Sequence, residues 1–228
     1  TLIKEHSPIP VTQVQEQLIQ EIEEKTIRGL KSNLPEGCGL TAQMIPKYCY
    51  NRPASETRTD KFIIERHPKL VAEGKIGKVK QTMGTGPHRQ GNYERPNWFY
   101  ERESYGGIIT DIGSHQIHQF LVFTNSNEAK INHALVENTT KQDQPGFQDF
   151  GEVNLTGNQG HGYIRLDWFT PDALPTWGDG RLLILGDKGY IEIRKYIDLA
   201  KSDSGNQLYY ANNEEVKHLD CSDVKLPY

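Results

Sequence analysis

Residues 181–196 read RLLILGDKGYIEIRKY, with two short apolar runs on either side of Gly186-Asp187-Lys188-Gly189. The runs are rich in β-branched and aromatic residues, and the second alternates apolar with polar side chains. Two such runs joined by a short glycine-containing turn predict an antiparallel β-hairpin. The alternation indicates strands with one buried face, so the fold is expected to be built on an antiparallel sheet.

Similar strand patterns occur through most of the chain from Lys75 onward. In residues 161–169, Tyr163 and Arg165 share one face while Ile164 and Leu166 share the other. The other predicted strands are 76–84, 129–138, 150–156, 206–211 and 214–219. Helical patterns cover 11–25, 61–73 and 110–124. The expected class is α+β, with a large, mostly antiparallel open sheet and helices on one face.

Composition narrows the range of functions. The 228 residues carry a net charge of −4, which argues against nucleic acid as the main partner. The start of the chain has no secretory signal pattern, and no apolar run approaches the roughly 18 residues of a membrane span. The three cysteines, Cys38, Cys49 and Cys221, are too scattered to suggest a metal site or a disulfide framework. We therefore expect a soluble, cytoplasmic protein with no membrane partner.

The strongest chemical motif is GGIITDIGSHQIH, residues 106–118. If this stretch is helical, Asp111, His115 and His118 lie on one face. A carboxylate beside an imidazole can set its tautomer and serve general acid/base chemistry. Spacing alone leaves two alternatives open. Asp111 could cap the helix beside a surface histidine, or the three residues could bind a metal ion.

Two further clusters have the composition of a substrate pocket. His88, Arg95 and Trp98 follow a predicted strand in a glycine- and proline-rich stretch, and Asp167 and Trp177 flank a second turn region. Arginine offers charged donors, and tryptophan offers a flat apolar face to a sugar. The alternatives are an ordinary surface turn for the first cluster and a cap on the core for the second. No G-x-G-x-x-G or Walker sequence is present.

Together these motifs resemble the C-terminal domain of the glucose-fructose oxidoreductase / inositol dehydrogenase (Gfo/Idh/MocA) family. GGIITDIGSH at 106–115 resembles the family's glycine pair followed by D-I-G-x-H. GKIGKV at 74–79 resembles its G-x-I-G-x-V segment, and LGDKGYIEI at 185–193 resembles its late hairpin. The resemblance implies residues 61–228 as a substrate-binding and dimerisation domain. It implies residues 1–60 as a residual Rossmann-type helix and strand with a linker.

The resemblance also implies an activity and its residues. The family transfers hydride between NAD or NADP and a sugar or polyol, so His115 would be the proton donor/acceptor and Asp111 would orient it. His88, Arg95, Trp98, Asp167 and Trp177 would contact the substrate. A homodimer through the open sheet face is expected.

The family's cofactor fingerprint is missing, and Lys4-Glu5-His6-Ser7-Pro8 stands where its catalytic E-K-P is expected. We therefore expect this chain alone to be inactive and to supply the substrate and acid/base half of the site. The alternative is a non-catalytic scaffold or ligand-binding domain, natural or engineered, that kept the fold without the cofactor site.

Overall fold

The computed structural model describes residues 68–91, 95–200 and 205–222, together with residues 17, 18, 20 and 21. Within these residues one eight-stranded sheet forms, in the order β2-β3-β4-β1-β5-β6-β7-β8. Its strands are β1 Val79–Pro87, β2 Ala129–Glu137, β3 Phe150–Gly157, β4 His161–Asp167, β5 Arg181–Gly186, β6 Gly189–Arg194, β7 Gln207–Asn212 and β8 Val216–Asp220.

Strand pairing is antiparallel except between β1 and β4, which run parallel. The hairpin predicted from residues 181–196 is confirmed, with Leu185 opposite Tyr190 in the β5–β6 ladder. Strand β1 runs parallel to β4 and antiparallel to β5. One edge of the sheet therefore carries the last residues of β1, β4 and β6 and the first residues of β3 and β5. The candidate site forms at this edge.

Helices cover one face of the sheet, as the sequence predicts. Within 68–91, 95–200 and 205–222 they are α1 Pro68–Ala72, α2 Arg102–Tyr105 and α3 Ser114–Thr124, with a 3₁₀ turn at Asn97–Tyr100. Helix α3 packs on β1 and β4 through three fully buried side chains, Ile117, Phe120 and Leu121. This packing closes the main hydrophobic core and confirms the α+β class.

The helix predicted over 110–124 begins differently from an ordinary α-helix. Its first turn, Ile109–Gly113, is a wider π turn, and regular α-helix starts at Ser114. Gly106 and Gly107 precede it with φ angles of 83° and 86°, a backbone conformation that residues other than glycine rarely adopt. The glycine pair therefore lets the chain turn sharply into the helix.

Two glycines in β1 let α3 lie unusually close to the sheet. A Cβ atom on Gly86 would lie 2.8 Å from Nε2 of Gln116 and 2.8 Å from Cγ2 of Ile112. A Cβ atom on Gly84 would also contact Gln116, at 3.1 Å. The absence of these side chains places the first turn of α3 directly over the end of β1.

Strand boundaries shift by a few residues from the sequence expectation. The strand predicted at 76–84 starts at Val79 and continues to Pro87, because its glycines pack beneath α3 rather than ending it. The helix predicted at 61–73 is described only from Pro68, and the four described residues of 11–25 are helical, with Leu18 buried. The remainder of 1–60 lies outside the described residues, so the division at 60/61 stays a prediction. No helix among the described residues is long and apolar enough to cross a membrane.

Candidate functional site

A cavity of about 240 Å³ opens at the edge of the sheet where β1 and β6 end and β5 begins. The first turn of α3 forms one wall, and the loop that precedes β5 forms another. Ten residues line the cavity: Thr85, Gly86, Pro87, His88, His115, Gln116, Trp177, Gly180, Lys195 and Tyr196. They come from segments far apart in sequence, so the cavity exists only in the folded chain.

His115 and Gln116 reach the cavity from the first turn of α3. His115 is half-buried, and Gln116 is only 5% exposed. Among the described residues, the buried Oε1 of Gln116 accepts no hydrogen bond. A buried carbonyl oxygen without a donor is costly, and it is satisfied when a ligand supplies one.

His88 follows β1 directly, and its contacts indicate which tautomer the neutral ring adopts. Nδ1 lies 3.2 Å from the carbonyl oxygen of Gly86, which can only accept, so Nδ1 carries the hydrogen and Nε2 is left as an acceptor. Burial lowers the pKa of His88 to about 4; the Gly86 hydrogen bond opposes this, while the charges of His115, Lys195 and Arg95 add to it. His88 is therefore a neutral acceptor near neutral pH.

Aromatic rings make up the rest of the wall. The His88 ring lies 4.3 Å from that of Trp177 and 5.3 Å from that of Trp168, between ring centroids. Trp177 also packs at 4.3 Å against Tyr196. A flat apolar surface beside polar groups suits the mixed faces of a sugar or polyol ring.

Lys195 is one of the lining residues that the sequence motifs do not predict. It follows β6, is 4% exposed, and its Nζ lies 3.4 Å from Oε1 of Gln119. A signal for it existed in the period-two pattern, since Ile191, Ile193 and Lys195 share one parity and both isoleucines are fully buried. That parity places a lysine on the covered face of the sheet, where lysine is rarely found.

Asp111 lies in the π turn that leads into α3. Desolvation by the surrounding protein raises its pKa, while the charges of Arg95 and His115 act in the opposite direction. Its surface is nonetheless exposed, so contact with water offsets part of this desolvation. Asp111 and His115 thus interact electrostatically, and the orienting role of Asp111 stays a prediction.

Arg95 lies beside the cavity rather than in its lining. Its guanidinium stacks 4.1 Å from the ring centre of Phe99 and 4.8 Å from that of Trp168. From there its charge acts on both His88 and Asp111. The structure therefore places Arg95 near His88 and Asp111 without making it part of the cavity wall.

Two other predicted substrate residues lie outside the lining. Asp167 is buried, but it pairs with Arg165 at 3.0 Å and accepts the Phe169 amide at 3.1 Å, which accounts for its burial. Trp98, on the 3₁₀ turn, is 54% exposed. Of the seven residues predicted for the site, the cavity lining includes His88, His115 and Trp177. A substrate role for the others stays a prediction.

The metal alternative finds no ligand set in the described part of the chain. No group of three histidine, cysteine, aspartate or glutamate side chains there is arranged to hold an ion. His118 is half-buried one turn beyond His115 on α3 and does not line the cavity.

Comparison with known proteins identifies the family that the sequence motifs resemble. A family model described as the GFO/IDH/MocA C-terminal domain matches residues 65–192. A candidate oxidoreductase from Erwinia carotovora atroseptica, known from its crystal structure, is 45% identical, with a TM-score of 0.69 over 74% of this chain and 50% of its own. An uncharacterized protein of Acanthamoeba polyphaga mimivirus is 51% identical over 55 residues, 24% of this chain and 16% of its own.

More distant structures share the fold. An inositol dehydrogenase homolog from Azotobacter vinelandii, solved with NAD+, is 14% identical, with a TM-score of 0.55 over 75% of this chain and 44% of its own. The present chain therefore spans about half the length of the solved structures it matches.

Proposed function

The chain belongs to the Gfo/Idh/MocA family, and on that premise we propose that its cavity is the substrate and acid/base half of an NAD(P)-dependent oxidoreductase. One observation carries the proposal. The cavity joins His115, from the motif most typical of the family, with His88 and Trp177 from two distant segments. Convergence of an imidazole base, a neutral acceptor and an aromatic wall in one cavity is the arrangement expected of a substrate pocket.

In this proposal His115 moves the proton at the reacting oxygen of a sugar or polyol. A histidine is suited to the task because its ordinary pKa lies close to neutral pH. Asp111 would orient the imidazole and favour its charged form. Neutral His88 would accept a hydrogen bond from a neighbouring hydroxyl, and Trp177 would pack against the C–H face of the substrate.

The described residues do not fit a dinucleotide. The cavity beside His115, at about 240 Å³, is smaller than the roughly 300–1,000 Å³ typical of ligand pockets. Their sheet has one parallel pair, β1 with β4, rather than the series of parallel strands at whose switch point dinucleotides bind. NAD or NADP, which the family uses for hydride transfer, would accordingly be held by residues outside the described ranges. The described residues would supply the group that transfers the proton, His115.

Binding of a panel of sugars and polyols, followed by NMR on isotopically labelled chain, tests the proposal. We expect shifts at His88, His115 and Trp177, and His115→Ala should weaken binding about tenfold by removing one hydrogen bond to the ligand. His161→Ala, an exposed histidine on β4, is the matched control and should leave affinity unchanged. Shifts confined to other surfaces would contradict the proposal.

The second candidate, a ligand-binding domain that does not catalyse the reaction, is favoured by the poor fit to a dinucleotide. The two candidates separate on a titration of the chain with NADH and NADPH followed by nicotinamide fluorescence, together with an assay for dehydrogenation. Saturable micromolar binding with turnover supports the enzyme. Sugar binding without nucleotide binding or turnover supports the binding domain.

We further propose a homodimer through the open face of the sheet. Met83, Leu185 and Tyr190 on three adjacent strands are 40%, 41% and 44% exposed, an apolar patch that a second copy would cover. Light scattering should give twice the monomer mass, and Leu185→Glu should return the mass toward the monomer. Leu199→Glu, in a loop, is the control. A monomeric wild-type chain at micromolar concentration would contradict the dimer.

A further inference from the structure

Gln116 is a buried glutamine for which the fold makes room. It lies in the first turn of α3, is 5% exposed, and packs over two glycines of β1. A Cβ atom on Gly84 would lie 3.1 Å from its Cγ, and one on Gly86 would lie 2.8 Å from its Nε2. The two glycines therefore keep space for this side chain at the wall of the cavity.

This space comes without a donor for the side-chain oxygen. Oε1 of Gln116 is buried and accepts no hydrogen bond from the described residues. Gln119, about one turn further along α3, is fully buried too, but its Oε1 lies 3.4 Å from Nζ of Lys195. Leucine or methionine would fill the space of Gln116 without burying an unpaired oxygen, which costs free energy. Such local departures are typical of functional sites, and Gln116 lines the cavity.

A second acceptor is held on the same glycine. Nδ1 of His88 donates to the carbonyl oxygen of Gly86 at 3.2 Å, which leaves Nε2 as an acceptor in the neutral ring. The side chains of Gln116 and His88 thus both lie against Gly86, and both line the cavity. Two acceptors in one small cavity call for a ligand with two donors. A hydroxyl group supplies a donor, whereas an ether oxygen, a carbonyl oxygen or a fluorine does not.

We propose that Gln116 is a specificity-determining residue that accepts a hydrogen bond from a free hydroxyl of the substrate, other than the hydroxyl on which His115 acts. With His88 accepting from a neighbouring hydroxyl, the pocket takes polyols that are unsubstituted at both positions. It discriminates against deoxy and O-alkylated forms of the same ring, because these leave Oε1 of Gln116 buried and unpaired. The inference rests on the proposed function, since it concerns the substrate of the same pocket.

Calorimetric titration of the chain with deoxyfluoro analogues tests this role. The probes are D-glucose and myo-inositol with their monodeoxyfluoro analogues, each of which replaces one hydroxyl group by a fluorine that cannot donate. When the fluorine replaces the hydroxyl that Gln116 binds, we expect the affinity to fall about 10- to 100-fold below that of the parent, the effect of leaving a buried acceptor unpaired. Fluorine at a position that contacts neither acceptor should change the affinity much less.

Three variants assign this loss of affinity to Gln116. Gln116→Met keeps a similar shape without the amide oxygen, so the parent should bind more weakly and the fluorine penalty at one ring position should disappear. Gln116→Glu keeps an oxygen acceptor in either protonation state and should keep the penalty. Gln159→Met, at an exposed glutamine in the β3–β4 turn, should change neither. Because Gln116→Met removes an unpaired buried oxygen, its midpoint in urea should be no lower than that of the wild-type chain.

Each contrary outcome overturns a different claim. Equal binding of a parent and all its fluorinated forms would overturn the hydroxyl requirement and leave the polyol pocket standing. A fluorine penalty that survives Gln116→Met at every ring position would overturn the role of Gln116. A lower urea midpoint for Gln116→Met than for Gln159→Met would mean that the amide stabilises the fold, and would overturn its role toward a ligand. Failure of both parents to bind would overturn the inference together with the proposed function.

Discussion

Two buried polar regions at the same edge of the sheet differ in how their polar groups are satisfied. Asp149, which precedes β3, is fully buried. Its carboxylate accepts the Thr139 amide at 2.9 Å, the Thr140 amide at 2.7 Å and the Thr140 hydroxyl at 2.6 Å. The carboxylate is thus enclosed by local donors and has no evident use for a ligand.

The cavity a few strands away shows the opposite arrangement. There the buried carbonyl oxygen of Gln116 receives no hydrogen bond from the described residues. Burial also lowers the pKa of His88 well below its ordinary value, so the imidazole stays neutral. Burial of a polar group therefore does not mark a functional site. What distinguishes the cavity is polar capacity that the described part of the fold leaves to be filled.

The largest effect should come from the satisfied region. Asp149→Ala removes the acceptor for two backbone amides and two hydroxyls, and should lower the free energy of unfolding by about 3 kcal/mol, given the cost of lost hydrogen bonds to a charged group. Urea denaturation measures this loss. The affinity of the folded fraction for sugars or polyols should be unchanged.

Asp143→Ala provides the control for that measurement. Asp143 is exposed in the same loop, so its removal should change the free energy of unfolding by less than about 0.5 kcal/mol. If Asp149→Ala cost no more than Asp143→Ala, the carboxylate would not be structural and the contrast between the two regions would fail.

A smaller, pH-dependent effect is expected in the cavity. Below about pH 6.5 the unfolded chain binds a proton at His88, while the folded chain does so only near pH 4. The free energy of unfolding should therefore fall as the pH drops through this window. Between about pH 7 and about pH 4.5 the His88 contribution to that fall is about 2 kcal/mol.

Replacing His88 by glutamine isolates this contribution. His88→Gln cannot titrate, so the fall in unfolding free energy between the two pH values should shrink by about 2 kcal/mol. His161→Gln, at an exposed position, should keep the wild-type fall. An unchanged pH profile in His88→Gln would mean that His88 is not held neutral by the cavity.

The sequence anticipated the sheet well because its signals are local. Alternating apolar residues in β4 and the glycine-bounded hairpin of β5 and β6 report on one strand or one turn at a time, and both appear as predicted. The start of α3 was anticipated less fully. Its π turn depends on the glycine pair at 106–107 and on the close contact between Gly113 and Leu166, which spacing alone does not reveal.

The candidate site was anticipated in part for the same reason. His115 and His88 stand in recognisable motifs, whereas Lys195 follows a strand in a stretch that reads as ordinary hairpin. Its position near tryptophans in the sequence predicts a substrate role for Asp167. In the structure it pairs with Arg165 and does not line the cavity.

The sequence by itself determined the α+β class, the strand pattern and the motifs that resemble the family, because each depends on the spacing of residues along one segment. Only the tertiary structure decided which polar groups share a cavity. That outcome depends on β1 lying between β4 and β5, and on Gly84 and Gly86 letting α3 descend onto the sheet. The ends of strands distant in sequence meet there, and the burial they create sets the protonation of His88 and the position of Lys195.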